Sequence, residues 1–315
     1  MRYAVTSIPA SEFMEERPLF SVITPSLNHG DYLADCLASV GLQGVDNVEH
    51  LVLDGGSTDN TQEVTEAFAH GRFISLPGTN QSEALTEGFR RAKGHIICWL
   101  NTDDILLPGA FERARMRMGT HGDRTYLTSH YLFVDKELNL IRKNCLPSFS
   151  PFLYRNYAVY LPTSGSFVTN TVYGDGIRLD SDLEILMDRD YALKLHEAGY
   201  QCIHEPDYLS AFRLHDNNKS GVGRLQAKKA DPRADRRIAE RNQISEHYGG
   251  VFLGKKRLLS HHPALSRLAW VSLVAQLRFN RLRIRMEDMV GVNDVAPDLA
   301  RWTYTLKQER ARLGC

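Results

Sequence analysis

Four polar clusters in this 315-residue chain carry residue types that can do chemistry. The first is Asp103-Asp104, placed directly after the apolar run Ile96-Ile97-Cys98-Trp99-Leu100. Adjacent carboxylates repel each other, and that repulsion vanishes when a divalent cation sits between them and an anionic ligand. Hard oxygen donors suit Mg²⁺ or Mn²⁺. The plainer reading is a solvated turn before a helix, with Asp104 as a cap. The second cluster is Asp54-Gly55-Gly56-Ser57-Thr58-Asp59. Asp54 can accept from the N–H of a nucleobase, and the glycines let a ligand approach the backbone; equally, both acids can serve only turns and caps, and for Asp59 that reading is preferred. The third is Asp188 at the start of a helix. The dipole keeps a carboxylate ionised there, so it can act as a general base or simply as an N-cap. Asp190 competes with it. The fourth is His215, a metal ligand if an ion lies near and otherwise a structural histidine.

The elements that position these groups follow from periodicity. A fully apolar run bounded by polar residues is a central parallel strand, and such strands carry ligands at their carboxyl ends. Strands are expected over 20–24, 50–53, 72–76 and 96–100. Helices are expected over 32–40 (with Asp31 as cap), from 58 or 59 to 68, and over 82–92. That is strand–helix alternation at βαβ spacing, hence a mostly parallel sheet with right-handed crossovers. Beyond it we expect a helix over 108–118 with Pro108 in its first turn. A hairpin should turn near 135–139, and a helix should run over 188–199. Closing strands are expected over 201–204 and 208–215. Every informative cluster falls after a strand: 24–29, 54–59, 77–81 and 101–104.

Composition sets the frame. With 43% hydrophobic residues the chain can bury a core, and its formal net charge of zero gives no pull toward nucleic acid. The zero hides an asymmetry: residues 221–315 hold 19 Lys+Arg against 9 Asp+Glu, a balance of +10. The expected organisation is a leader over 1–19, an α/β domain over 20–220 in two halves, 20–104 and 105–220, and a basic helical region over 221–315. A linker is expected at 231–235. Within the tail, 265–286 places five arginines beside Trp270 and Phe279. This stretch reads either as a peripheral membrane contact or, preferred, as a helical cap or homodimer face. His261 and His262 read as an ordinary loop. Five scattered cysteines without a CxxC pair fit a reducing cytoplasm. No apolar run is long enough to span a bilayer. Neither a dinucleotide fingerprint nor a Walker A loop is present.

Four segments in order resemble the family 2 glycosyltransferases of the nucleotide-sugar type, with a GT-A (Rossmann-like) α/β fold and here a C-terminal helical extension. They are residues 21–28, residues 53–61, residues 81–94 leading into 99–104, and residues 187–195 followed by 212–215. The resemblance implies that Thr24, Pro25, Ser26, Leu27 and Asn28, with Asp54, Gln81, Asn101, Thr102 and Asp103, hold the nucleotide. It implies that Asp103, Asp104 and His215 bind Mn²⁺ or Mg²⁺, and that Asp188 deprotonates an acceptor hydroxyl with inversion at the anomeric carbon. The implied donor is a nucleotide-diphosphate sugar, a UDP-sugar first; the implied acceptor is a glycan or glycolipid. Two positions depart from the pattern. Asn101 stands where many relatives have the first acid of the motif, and Leu27 where some have an aromatic residue against the base. The rivals are a sugar nucleotidyltransferase, which would need a Gly-rich basic loop absent from 25–30, and a non-catalytic nucleotide-sugar-binding module of the same fold.

Overall fold

The computed structural model describes residues 18–146, 149–156, 163–216, 218, 233–249 and 295–315. The first half is strand–helix alternation: β1 (Phe20–Ser26), α1 (Gly30–Gly41), β2 (Val48–Asp54), α2 (Thr61–Glu66), β3 (Gly71–Ser75), α3 (Gln81–Arg91) and β4 (Ile96–Trp99). These four strands pair in parallel in the order β3-β2-β1-β4. β1 and β4 are buried on both faces, which explains their unbroken apolar runs. On one face Phe20, Val22, Leu33, Leu37 and Cys98 pack together. On the other, Ile23, Leu53, Leu85, Phe89 and Ile97 do so. The helix expected over 82–92 gains a start the periodicity did not specify. Asn80 Oδ1 accepts from the Glu83 amide at 3.0 Å, and Glu83 Oε2 accepts from the Asn80 amide at 2.8 Å. This capping box fixes the first turn of α3.

The second half differs. Its elements are β5 (Ile105–Leu106), α4 (Ala110–Met118), β6 (Thr125–Val134), β7 (Leu140–Asn144), α5 (Pro151–Asn156), β8 (Ser166–Thr169), α6 (Thr171–Gly174), α7 (Met187–Glu197) and β9 (Gln201–Arg213). They extend one nine-stranded sheet in the order β3-β2-β1-β4-β8-β6-β9-β5, with β7 on β6. Here β4–β8, β8–β6, β6–β7 and β9–β5 are antiparallel, and β6–β9 is parallel. The sheet is therefore parallel in its first half and mixed in its second. The two expected closing strands are one continuous β9; a register shift opposite Ser129–Tyr131 absorbs the irregular Pro206 stretch. Pro108 lies outside α4. That helix begins at Ala110 behind Gly109, whose φ of 76° a residue without Cβ accepts freely.

Two helices follow, α8 (Ala234–His247) and α9 (Val295–Leu313). Both pack on the body. Leu299, Trp302 and Leu306 of α9 join the core that holds α1 and α4, and Trp302 Nε1 donates to the Leu106 carbonyl at 3.0 Å. The expected linker over 231–235 overlaps the start of α8. The leader over 1–17 and the basic stretch 265–286, with Trp270 and Phe279, lie outside the described residues. Among the described residues no helix is long and apolar enough to cross a membrane.

Candidate active site

The loops after β1, β2, β3 and β4 meet at the carboxyl edge of the parallel half-sheet, beside a cleft of about 590 Å³. Backbone bonds stitch them together. Gly55 N–H donates to the Ser26 carbonyl at 2.9 Å, and Gly78 N–H to the Gly55 carbonyl at 3.1 Å. A Cβ at Gly55 would come within 3.3 Å of the Thr79 carbonyl, so the small residue permits the close approach of two loops. Thr102 Oγ1 donates to the Pro25 carbonyl at 2.7 Å and ties the β4 turn to the β1 loop.

Pro25, Ser26, Leu27, Gln81, Asn101 and Thr102, which the resemblance assigns to the nucleotide, line the cleft. Leu27 is 53% exposed there, an apolar side chain held open to solvent. Three expected contacts turn elsewhere. Thr24 is buried and its hydroxyl lies 2.7 Å from His50 Nε2. Asn28 adopts a left-handed φ of 54°, and its Oδ1 accepts from the Thr58 amide at 2.8 Å. Asp54 does not line the cleft. Its Oδ2 accepts from the amides of Gly56 and Ser57 at 3.0 and 2.8 Å, and its Oδ1 from the Ser57 hydroxyl. Asp54 thus shapes the Gly55–Gly56 turn, and Gly55 is the residue that reaches the cleft. Asp59 behaves as its turn-and-cap reading has it: Oδ2 accepts from the Gly30 amide at 2.9 Å and Oδ1 from the Thr61 amide at 3.1 Å.

The two acids after β4 have parted. Asp103 lines the cleft, and its Oδ2 lies 2.9 Å from His215 Nε2 and accepts from Asn218 Nδ2 at 3.1 Å. Burial raises its proton affinity, but the bond and charge of His215, with that of His29, hold the carboxyl below its ordinary range. Asp104 is 1% exposed and absent from the cleft lining. Its Oδ1 accepts from the Arg213 amide at 3.0 Å. Its Oδ2 accepts from the Ser164 hydroxyl and from Asn101 Nδ2 at 3.3 Å. Burial and the charge of Asp103 push its carboxyl well above the usual range. Of the three residues that the resemblance assigns to the metal, Asp103 and His215 therefore stand side by side, while Asp104 is engaged inside the protein. Asn101 has a clear place as an amide. Its Oδ1 accepts from Trp99 Nε1 at 3.0 Å and its Nδ2 donates to Thr163 Oγ1 at 2.9 Å. A carboxylate there could not donate to Asp104 Oδ2, as Asn101 Nδ2 does.

Whether this donor set suits a hard divalent ion can be tested by geometry. Neighbouring ligands of an octahedral Mg²⁺ or Mn²⁺, each at about 2.1 Å, stand about 3 Å apart. The Asp103–His215 separation of 2.9 Å fits that edge. Among the described residues no set of three His, Cys, Asp or Glu stands where it could hold a metal ion.

Asp188, the second residue of α7, also lines the cleft. Its Oδ1 accepts from the Arg189 amide at 2.7 Å. Burial dominates, and the carboxyl is raised to about 7 despite that bond and the Arg189 charge. Asp190 points away: Tyr248 donates to its Oδ1 at 2.8 Å, and Lys194 Nζ lies 2.7 Å from its Oδ2. The helix start is held from outside by Glu240 of α8. Its carboxylate accepts from the amides of Glu184, Ile185 and Leu186, each at 2.9 Å. This caps the orphan donors of the turn that leads into α7. Glu240, Arg213, Tyr32 and Asn218 were not singled out in the sequence. Their roles depend on partners 54 to 183 positions away, and local spacing carries no trace of those. Arg213 alone had a signal, its place two residues before His215.

A half-parallel α/β sheet, a cleft at its carboxyl edge, one acid at the β4 turn and another at the start of α7 make a GT-A-like arrangement. Comparison with known proteins agrees. Residues 21–174 match the family model described as glycosyl transferase family 2. A PGL/p-HBAD biosynthesis glycosyltransferase of Mycobacterium bovis is 36% identical over 94 residues, 28% of this chain and 37% of that protein. Glycosyltransferase GlyG of Streptococcus pneumoniae is 29% identical over 126 residues, 38% of this chain and 42% of that protein. The chain thus matches less than half the length of these curated relatives. Among solved structures, S. aureus TarS 1–349 in complex with UDP-GlcNAc superimposes with a TM-score of 0.55 at 15% identity, over 78% of this chain and 74% of that one. The mannosyltransferase PcManGT from Pyrobaculum calidifontis, in complex with GDP-Man and Mn²⁺, gives 0.50 at 15% identity over 95% and 87%.

Proposed function

We propose that this protein is an inverting glycosyltransferase that moves a sugar from a nucleotide-diphosphate sugar, a UDP-sugar first, to a hydroxyl of a glycan or glycolipid. One observation carries the reading: Asp103 and Asp188 line the same cleft with opposite proton affinities, one held ionised and one poised near neutrality. The nucleoside lies along Pro25–Leu27 and Gly55. Asp103, His215 and Asn218 face the diphosphate. Asp188 accepts the proton as the acceptor oxygen bonds to the anomeric carbon, whose bond to the diphosphate oxygen breaks with its electron pair on the leaving group. A base that titrates near the working pH is suited to that transfer. Mn²⁺ or Mg²⁺, held by Asp103 and His215, would neutralise charge on the departing diphosphate. TarS and PcManGT, of like fold, hold UDP-GlcNAc and GDP-Man with Mn²⁺, which favours this donor class.

The test is a thermal-shift screen of UDP, GDP, CDP and dTDP with and without Mn²⁺, since ligands that bind the native state raise its stability. A metal-dependent shift with UDP is expected. No shift with any nucleotide would reject the donor site.

A further inference from the structure

We propose that the C-terminal helix is part of the donor site: a charged chain, Arg310–Asp35–Arg213, positions Asp103 against His215. The inference rests on the reading of those two residues as donor-side groups. Arg213, at the end of β9, is 3% exposed. Its Nη2 donates to Asp35 Oδ2 at 2.9 Å, its Nε to the Asp103 carbonyl at 3.0 Å, and its Nη1 to the Lys136 carbonyl at 3.1 Å. Its own amide donates to Asp104 Oδ1. The guanidinium carbon sits 4.9 Å from the centre of the Tyr32 ring, and Tyr32 stacks on His215 at 4.9 Å. One side chain therefore touches the backbone of the acid turn directly and the imidazole through a single ring. Asp35, on α1 and also buried, takes Arg310 Nη1 of α9 on its other oxygen at 3.0 Å.

Attachment of α9 does not require this chain, because Leu299, Trp302 and Leu306 already sit in the core. What the chain adds is orientation. A guanidinium is a planar fork with donors in fixed directions, so it holds three acceptors in one geometry where an ammonium would only supply charge. Asp35 sets the plane of that fork, and Arg310 balances the second oxygen of Asp35. Loss of Arg310 leaves a buried carboxylate half-partnered and free to pull the fork out of register. Asp103 and His215 come from segments 112 residues apart, so their separation depends on such cross-links, and small misplacements cost binding and rate.

The test uses the full chain and reads UDP binding with Mn²⁺ by calorimetry, alongside donor and acceptor KM, kcat and Tm. Arg310→Met is the main variant, since that side chain is 30% exposed and its loss should not prevent folding. Its UDP affinity should fall, and donor KM rise, by roughly tenfold, with acceptor KM unchanged. Arg213→Lys should fall at least as far, because charge without the fork does not rescue. Arg312→Met, whose partner Glu309 lies on its own helix, should match wild type. In an Asp103→Ala background, Arg310→Met should add nothing to the loss of UDP affinity. Wild-type UDP affinity and donor KM in Arg310→Met, with only Tm lowered, would overturn the proposal and leave the chain as structural support. Wild-type UDP affinity in Asp103→Ala itself would instead overturn the donor-site reading beneath it.

Discussion

Two acidic turns border the same cleft, and they share a design. Asp103-Asp104 follows β4, and Asp188 with Asp190 opens α7. In each, one carboxylate lines the cleft and the other is engaged within the protein: Asp104 by Arg213, Ser164 and Asn101, Asp190 by Tyr248 and Lys194. They differ in proton affinity. Asp103 lies beside an imidazole and is held low, whereas Asp188 has a buried surround, few donors, and a carboxyl raised to about 7. Chemically identical side chains are thereby suited to different tasks, one to hold charge against a diphosphate and one to take up a proton.

The contrast can be broken most directly at the outer acids. Asp188→Asn should lower kcat by about 10³-fold with UDP binding intact, whereas Asp190→Asn should keep activity within about tenfold of wild type. Turnover lost in Asp190→Asn and kept in Asp188→Asn would reverse the two assignments. Asp103→Ala should remove most of the Mn²⁺-dependent gain in UDP affinity, read by calorimetry. Asp104→Ala should act on stability instead, lowering it by about 2–4 kcal/mol in urea titration, because buried donors of Ser164, Asn101 and Arg213 lose their acceptor. Similar metal dependence in both variants would dissolve the distinction between outer and inner acid.

Proton affinity sharpens the comparison further. If Asp188 must be ionised to act, kcat/KM should climb about tenfold per pH unit below 7 and level off above it. Stability runs the other way. The folded carboxyl sits above its unfolded value of about 3.9, so the neutral form is favoured in the native state. That contribution is complete below about pH 4 and is lost as pH rises through 7. Asp188→Asn should therefore gain Tm relative to wild type between pH 5 and pH 8, and a constant difference would place the ionisation elsewhere. The smallest effect is expected at Glu240→Gln, which keeps the shape but weakens the acceptor for three amides before α7. A loss of about 1 kcal/mol in stability is expected, with a modest fall in kcat.

The fold was more legible than the site. The strand–helix rhythm over 20–100 and the position of each polar cluster at a strand end follow from local periodicity, and the structure agrees with them closely. The second half was harder, since antiparallel partners such as β4 and β8 are joined across some seventy residues and leave no local signature. Asp103, Asp188 and His215 were singled out by type and context. Their inner companions were not sorted from them, because burial and partners decide that.

By itself the sequence determined which strands are central, because only a strand covered on both faces carries an unbroken apolar run. It also determined that the acids would gather at one sheet edge, since parallel strands share a carboxyl end. Only the tertiary structure decided which acid of each pair meets the cleft. The bonds that turn Asp104 and Asp190 inward come from Ser164, Arg213 and Tyr248, at separations of 58 to 109 residues. Proton affinity is decided there too, because it depends on the solvent excluded and the charges brought near, quantities that exist only once the chain has closed on itself.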